Sequence, residues 1–274
     1  MVDRLAALQG HFSVGVRTFQ TGSLCGTHTL EGETPCGQLH LLKRGEVEVW
    51  HGDKKAFKLN EPTLLFYPRP MPHRFVTDSL QGADFVCANI MFEGGASNPI
   101  ASALPDSVCL PLSSLPDSIS VLTLLFAEAE ANNCGKQVLL DRLFEVLLIQ
   151  LLRQLMQSGF ANVGLFAGLA HTQLQKAIVA MHQTPDKSWS VEELAALAGM
   201  SRSVFFNKFH KTVGVTPANY LQRWRISLVQ KWLKNGRPLK LIALEAGYGS
   251  ESALSRAFKS QCGVPPMEWL KLAA

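Results

Sequence analysis

Two segments of the chain carry side chains of the kinds that bind DNA bases. The first holds Arg202 and Asn207, and the second holds Arg256. An arginine can donate two hydrogen bonds to guanine, and an asparagine can pair in the same way with adenine. Nearby lysines and arginines would neutralise phosphates, which supplies affinity without sequence preference. The candidate DNA-contacting residues are Ser201, Arg202, Ser203, Phe206, Asn207, Lys208, Lys211, Arg223, Arg225, Ser250, Glu251, Ser252, Ser255, Arg256 and Lys259.

The roles within this set differ. Arg202, Asn207 and Arg256 are predicted to contact bases, and Phe206 to contact a thymine methyl group. Lys208, Lys211 and Arg223 are predicted mainly to hold phosphates. The set therefore combines sequence recognition with electrostatic attraction.

The two segments are copies of one helical unit, in which residues 191–209 recur as residues 239–258. Each copy begins with a short helix that an Ala-Gly pair ends, because glycine accepts the left-handed conformation of a tight turn. A serine, Ser201 or Ser250, then stands at the N-cap position of a second helix. Apolar residues four positions apart in that helix would share one face and pack inward. These pairs are Phe205 with Phe209 and Leu254 with Phe258. The pattern predicts two helix-turn-helix motifs in tandem.

Further residues around both copies complete a specific pattern. They are Ala198-Gly199-Met200-Ser201-Arg202, Phe209, Gly214, Thr216-Pro217, Tyr220-Leu221, Arg225-Ile226, Ile242-Ala243, Ala246-Gly247-Tyr248, Arg256-Ala257-Phe258-Lys259 and Gly263-Val264-Pro265-Pro266. On these residues, the segment from about residue 170 to residue 270 resembles the DNA-binding domain of AraC/XylS-type transcription regulators. The resemblance implies a protein that binds a specific double-stranded DNA site, contacts RNA polymerase and activates transcription. Leu270 departs from the pattern, because many members carry a basic residue there that could contact a phosphate.

Positive charge is concentrated in the same part of the chain. The net charge of the 274 residues is only +4, but from Lys176 onward 14 Lys and Arg stand against 6 Asp and Glu. The preceding residues carry 12 basic and 16 acidic side chains. A basic part joined to an acidic part is typical of a DNA-binding module attached to a domain that does not bind DNA.

The first part of the chain shows strand patterns. Apolar and polar residues alternate over His11–Gln20 and Leu39–Trp50, and residues 56–59, 63–67 and 85–92 predict further short strands. Short strands separated by glycine and proline predict a small barrel or jelly roll. The matching positions are Gly37-Gln38-Leu39-His40, Gly45, Leu59 and Pro68-Arg69-Pro70-Met71-Pro72-His73. In these residues the segment resembles the cupin barrel that is the sensory domain of many AraC-type regulators.

Together the patterns predict an α+β protein with several domains. Residues 1–112 would form a cupin-like sensor barrel, residues 113–165 a helical linker and dimerisation region, and residues 166–274 the all-α tandem helix-turn-helix domain. Residues 98–116 contain four prolines and are expected to be irregular. A helix over Arg223–Asn235, roughly 20 Å long, would join the two motifs and allow them to enter successive major grooves.

Helices are also predicted over Ile119–Ala131 and Gln137–Gln157. The second is apolar on nearly every side, which is typical of a helix that is buried all round. Two helices on a small barrel cannot cover it alone, so we expect a homodimer through this helix, with Leu147 and Leu151 at the interface. The alternative is packing between the barrel and the DNA-binding domain.

A metal or redox site is the other chemistry that the residue types allow. Catalytic cupins resemble one another in a site of three histidines and a glutamate. Here His73 matches one histidine, Gln38 replaces the glutamate, and no His-x-His precedes it. Cys25 would follow the first strand and Cys87 would lie on the last, and in a rolled barrel these edges can meet. With His73 they could bind zinc, the one candidate cofactor, or as a thiol pair they could sense oxidation. Ordinary packing is the third possibility.

The resulting prediction is a transcription regulator that responds to an unidentified effector and is not an enzyme. Two alternatives remain: a cupin-type metal-dependent enzyme fused to a DNA-binding domain, and an architectural DNA-binding protein without a signal. The start of the sequence has no signal-peptide pattern, and the most apolar stretch, Val146–Met156, is too short and polar to span a membrane. The six cysteines form no short CxxC pair. A cytoplasmic protein is therefore expected, with no membrane partner.

Overall fold

The computed structural model describes residues 3–31, 36–160 and 162–272. The chain divides into two compact units. One, the barrel unit, comprises Val14–Ala96 and Leu104–Gln154. The other, the helical unit, comprises Ser97–Ala103 and the described residues of Met1–Ser13 and Leu155–Ala274.

The barrel unit contains two antiparallel sheets. Five strands in the order β1-β8-β3-β6-β9 form one sheet, and four in the order β2-β7-β4-β5 form the other. A cluster of buried residues from both sheets, including Val49, Tyr67, Phe75 and Phe85, fills the space between them. The strands are β1 (Val14–Leu24), β2 (Thr27–Leu30), β3 (Gly37–Arg44), β4 (Val47–His51), β5 (Lys54–Leu59), β6 (Thr63–Tyr67), β7 (His73–Thr77), β8 (Ala83–Phe92) and β9 (Val108–Pro111). The predicted cupin-type barrel is confirmed.

The segment predicted as one strand around Gly45 is two strands, β3 and β4, which lie in different sheets. Gly45 makes this change of sheet possible, since its φ is 100° and a Cβ there would lie 2.8 Å from the Ala83 Cα atom. The sequence analysis also missed β2, β7 and β9. In β7 the buried positions are His73, Phe75 and Thr77, so two of the three inward residues are polar and hide the alternation. Strand β9 lies inside the segment predicted to be irregular, at the edge of its sheet, where proline is tolerated.

Twelve α-helices lie in the described residues. They are α1 (Arg4–Gln9), α2 (Pro99–Ala103), α3 (Ile119–Glu130), α4 (Lys136–Gln157), α5 (Leu165–Ala170), α6 (Leu174–Gln183), α7 (Val191–Leu197), α8 (Arg202–Val213), α9 (Pro217–Lys234), α10 (Leu239–Glu245), α11 (Glu251–Cys262) and α12 (Pro266–Leu272). Helices α7 and α8 form the first helix-turn-helix copy, and α10 and α11 form the second. Both predicted motifs are therefore present.

The first residues of the chain belong to the helical unit, whereas the sequence boundaries assigned residues 1–112 to the barrel. Leu8 and Phe12 are buried, and the Phe12 ring meets the Trp224 ring at 5.4 Å between centroids. The Nζ atom of Lys231 donates to the His11 carbonyl oxygen. Phe12 was predicted to lie at the start of a strand, because alternation over a short segment does not reveal which unit buries it.

The connecting helix α9 is longer than predicted. It begins at Pro217 instead of Arg223, because Thr216 is its N-cap and accepts a hydrogen bond from the Asn219 N–H at 3.3 Å. Proline is favourable at the first helical position, where no intrahelical N–H bond is needed. With 18 residues the helix is about 27 Å long.

Helix α4 does not present the uncovered apolar surface that the sequence predicted at Leu147 and Leu151. Leu147 and Leu151, the predicted interface residues, are fully buried by the chain itself, as are Phe144 and Leu152. The helix is tied to β1 by Asp141, whose carboxylate accepts from the Thr18 N–H at 2.7 Å. The pairing of β1 with β8 shifts register just after Thr18, so this N–H is satisfied by a side chain. The placement of the dimer interface on Leu147 and Leu151 is therefore wrong.

Candidate nucleic-acid interface

The recognition helix of the first copy, α8, has one buried and one exposed face. Phe205 and Phe209 are fully buried, with ring centroids 5.5 Å apart. Val213 continues the buried face, and Gly214 ends the helix in the left-handed conformation. The opposite side of the helix is consequently directed outward, as the spacing of the phenylalanines predicted.

The exposed face of α8 carries the residues predicted to read bases. Ser201, Arg202, Ser203, Phe206 and Asn207 line one shallow groove together with Val191 of α7. Phe206 is 39% exposed although it is large and apolar. An aromatic ring beside Arg202 and Asn207 offers a thymine methyl an apolar contact next to two base-specific hydrogen-bonding groups.

Arg202 has a partner that the sequence analysis did not identify. Its Nε atom lies 2.7 Å from the Glu192 carboxylate of α7, and both side chains are exposed. An exposed ion pair is weak, so the guanidinium can exchange from Glu192 to another partner at little cost in free energy. Glu192 is in the first helix of the motif, ten residues before Arg202 in the chain, which is why helical spacing gave no signal for it.

The recognition helix of the second copy, α11, repeats the arrangement. Leu254 and Phe258 are fully buried, and Ser250 caps the helix by accepting from the Ala253 N–H at 3.1 Å. Ser201 occupies the corresponding N-cap position without a side-chain hydrogen bond to the helix. On the outer side of α11, Glu251, Ser252, Arg256 and Lys259 are exposed, and Ser255 is half-buried.

The predicted phosphate contacts are also at the surface. Lys208 and Lys211 of α8 and Arg223 of α9 are exposed. Lys208 lies close enough to His171 to help lower the pKa of that imidazole, after the larger effect of burial. The cationic groups therefore flank the face of the first copy that is predicted to contact bases, on its own helix and on the helix that follows.

Arg225 was predicted to contact DNA, but its guanidinium is instead bound by backbone carbonyl groups of the protein. The side chain is half-buried, and its three nitrogens all donate to backbone carbonyl oxygens. Nε reaches Pro185 at 2.6 Å, Nη2 reaches Lys187 at 2.9 Å and Nη1 reaches Gly247 at 3.3 Å. Burial lowers the pKa of this guanidinium from its usual value. A guanidinium whose three nitrogens are engaged in this way is not free to contact DNA.

A signal for this position existed in the sequence. Leu221 and Val229 lie four residues before and after Arg225 in α9, and both are buried. Residues four apart share a helix face, so Arg225 had to lie on the inward side. Arg223 lies off that face and is exposed.

The first copy packs on a buried histidine. The His182 Nε2 atom lies 2.7 Å from the Tyr220 hydroxyl, and its ring stacks on Trp224 at 3.8 Å between centroids. Burial lowers the pKa of His182 to about 3, with a smaller contribution from His11. The imidazole is therefore neutral at neutral pH, and it joins α6 to α9 behind the recognition helix.

Cys25, His73 and Cys87 do not converge in the barrel unit. Cys25 is exposed just after β1, whereas Cys87 is buried in β8 opposite Gln20. Five residues along a strand separate the two thiols by on the order of 16 Å, far beyond the Cα separation of about 7 Å that a disulfide allows. Within residues 3–31, 36–160 and 162–272, no three His, Cys, Asp or Glu side chains are grouped so that they could hold a metal ion. The structure therefore does not bring together the three side chains that were predicted to share a zinc or redox site.

His73 instead pairs with His40 inside the barrel. Their Nε2 atoms are 3.0 Å apart, and the His73 Nδ1 donates to the Met71 carbonyl oxygen at 2.8 Å. Burial lowers the pKa of His73 to about 4 and that of His40 well below its ordinary value. Gln38, at the position of the catalytic glutamate, is within 3.2 Å of the Asn89 side chain. The two histidines are buried in the core, and Gln38 and Asn89 are half-buried.

Comparison with known proteins agrees with this architecture. A family model described as Cupin matches residues 3–157, and one described as Helix-turn-helix domain matches residues 194–272. An uncharacterized HTH-type transcriptional regulator of Haemophilus influenzae is 29% identical over 261 residues, 86% of each chain. A putative AraC-like transcription regulator of Streptomyces antibioticus is 41% identical over 152 residues, which are 55% of this chain and 50% of that protein. RclR of Escherichia coli, an RCS-specific HTH-type transcriptional activator, is 25% identical over 247 residues, 87% of this chain and 85% of RclR.

A cupin domain followed by two helix-turn-helix motifs defines a DNA-binding transcription regulator. The cupin model covers more than half of the chain, and the relatives carry regulator names. The chain belongs to the AraC-type transcription regulators that have an N-terminal cupin domain. The names of the relatives describe transcription regulators, which favours the regulator over the enzyme alternative. No helix in the described part of the chain is long and apolar enough to cross a membrane.

Proposed function

We propose that this protein is a cytoplasmic transcription activator that binds a site spanning two successive major grooves. The exposed, polar outer faces of α8 and α11, presented by one compact unit, carry the proposal. Each buries its phenylalanine-containing face and leaves its base-reading residues accessible. Helix α9, about 27 Å long, is of a length that can separate two recognition helices by one DNA turn of roughly 34 Å.

Activation and contact with RNA polymerase form the second part of the proposal. RclR, similar over most of both chains, is named as an activator. The AraC-type resemblance supports the same direction of regulation. The cupin barrel would receive a signal, and an organic effector or a partner protein is the proposed source.

The test of DNA binding is an affinity series of the full chain on a duplex that it selects from a random library. Each neutralised phosphate contributes about −0.9 to the slope of log affinity against log salt, so a steep negative slope is expected. A duplex of scrambled sequence is the control, and it should bind at least tenfold more weakly under the same salt. Equal affinity for both duplexes would contradict a sequence-specific regulator.

We also propose a homodimer, through residues of α4 that the chain leaves uncovered. Leu139 and Val146 are exposed and seven residues apart, which places them on one side of the helix, and Val138 is exposed nearby. Glu at Leu139 or Val146 should give folded monomers by analytical ultracentrifugation. Leu147→Glu is the matched control on the buried face and should unfold the barrel unit instead. Dimers that persist in both surface variants would contradict this interface.

A further inference from the structure

The two helix-turn-helix copies are joined by more than the helix between them. Arg225 lies in the middle of α9 and donates hydrogen bonds to carbonyl oxygens of two separate segments of the chain. Pro185 and Lys187 precede the first copy, and Gly247 is in the turn of the second. One side chain thus binds both the segment that precedes the first copy and the turn of the second copy.

The segment that accepts these hydrogen bonds is itself fixed to the first copy. Trp189 donates from its indole N–H to the Thr184 carbonyl oxygen at 3.1 Å. Ser190 and Glu193 form a capping box at the start of α7. Lys187 pairs with Glu193 at 3.0 Å. A displacement of this segment would therefore displace α7, and with it α8.

The turn of the second copy is packed tightly against the same segment. A Cβ atom at Gly247 would lie 2.5 Å from the Asp186 carbonyl oxygen and 2.8 Å from the Arg225 Nη2 atom. The equivalent glycine of the first copy, Gly199, has nothing within 4 Å of such an atom. The guanidinium also lies 5.7 Å from the centroid of the Tyr248 ring, next to Gly247. The close approach exists in one copy only, which indicates that it serves the joining of the copies and not the turn itself.

We propose that Arg225 is a positioning residue that fixes the orientation of α11 relative to α8 and thereby determines the half-site spacing that the protein accepts. The inference rests on the proposed two-groove binding. A planar guanidinium can serve three fixed carbonyl groups at once, whereas a lysine ammonium cannot reproduce that fork. When two binding modules are held in one geometry, their joint affinity depends on whether both sites can be occupied together.

The experiment uses the full chain, the selected duplex, and two derivatives with one or two base pairs inserted between the half-sites. Arg225→Gln removes the charge and Arg225→Lys retains it. We expect both to lower affinity at the native spacing by about tenfold, and to reduce the penalty for insertion that the wild type shows. Arg223→Gln is the control on the same helix. It should weaken binding equally at every spacing, as loss of a phosphate contact does.

A second measurement follows the distance between the two copies in the absence of DNA. Spin labels on unnatural residues at the exposed, equivalent positions Ala196 and Leu244 report the distance between the two copies. A narrow distribution in the wild type and a broader one in both Arg225 variants is the expected result. Unchanged width, or unchanged dependence on spacing, would overturn the proposal. Unfolding of both variants would also overturn it, because Arg225 would then be required for the fold itself. Failure of the wild type to bind two half-sites at all would instead refute the proposed function.

Discussion

The first and second helix-turn-helix copies have matching interiors and different surroundings. Phe209 and Phe258 are fully buried at equivalent positions, and both turns contain a glycine with positive φ. In the first copy, however, the turn is open, and α8 carries three cations and no carboxylate. In the second copy the turn is packed on Asp186 and Arg225, and α11 carries two cations and Glu251.

The two copies therefore share the packing of their helices. They differ in the charge of the recognition helix and in the residues that pack against the turn. We infer that the more basic, open first copy supplies the larger share of DNA affinity. The contribution of the second copy, which Arg225 holds in place, would depend on the orientation of α11. Four predictions test this contrast.

The first concerns the shared core. Phe209→Ala and Phe258→Ala should each lower the free energy of unfolding by about 3–5 kcal/mol, because each leaves a cavity among fully buried neighbours. Urea denaturation of the helical unit, followed by tryptophan fluorescence, measures the loss. Phe206→Ala, on the exposed face, is the control and should change stability by less than about 0.5 kcal/mol. A cost below about 1 kcal/mol for one of the two core variants would mean that the interiors are not equivalent.

The second concerns acid, because the first copy packs on a buried histidine and the sequence of the second contains none. His182 has its pKa lowered to about 3 in the folded protein, against 6.5 as the ordinary value. The unfolded chain therefore takes up this proton first, and stability is lost as pH falls from about 6.5 towards 3. The loss approaches about 1.4 kcal/mol per pH unit.

Amide hydrogen exchange can locate this effect. Protection in α8 should fall more than protection in α11 between pH 6.5 and pH 5, after correction for intrinsic exchange. His182→Gln should remove most of the difference, and His210→Gln, at an exposed position of α8, should not. Equal loss of protection in the two helices would argue against a special role of His182.

The third prediction separates the base readers of the two copies. Arg202→Ala, Asn207→Ala and Arg256→Ala should each remove about 1–3 kcal/mol of discrimination at one base position. Affinities for all single-base variants of the selected duplex measure this loss. Lys208→Ala is the control, since it should weaken every duplex alike and reduce the salt slope by about 0.9. If Arg202→Ala behaved like Lys208→Ala, Arg202 would be assigned to the phosphate backbone.

The smallest effect is expected at Glu192, which pairs with Arg202. The equivalent position in the second copy is Lys240, so this acidic residue is particular to the first. Glu192→Gln should raise the affinity for DNA of any sequence by less than about 1 kcal/mol, because the pair is exposed. Glu268→Gln, at an exposed position of α12, removes the same charge elsewhere in the helical unit and provides the comparison. A loss of specific binding in Glu192→Gln would show that the pair orients Arg202 for its base.

The sequence alone determined the two motifs and their inner and outer faces. The signals are local: a turn glycine, a capping serine, and apolar residues four apart within one helix. Phe205, Phe209, Leu254 and Phe258 are buried where that spacing placed them. Helix period converts such spacing directly into a face, and no distant residue is needed.

Tertiary structure determined which role each of several chemically similar residues has. Arg225 is as basic as Arg223, but its acceptors are supplied by Pro185 and Lys187, about 40 residues earlier in the chain, and by Gly247. Strand register, which no local pattern specifies, separates Cys25 from Cys87. The packing of one sheet on the other brings His73 of β7 to His40 of β3. Tertiary packing likewise determined which side of α4 is covered. In each case the partner is distant in sequence, and only folding determines which of several chemically equivalent residues it meets.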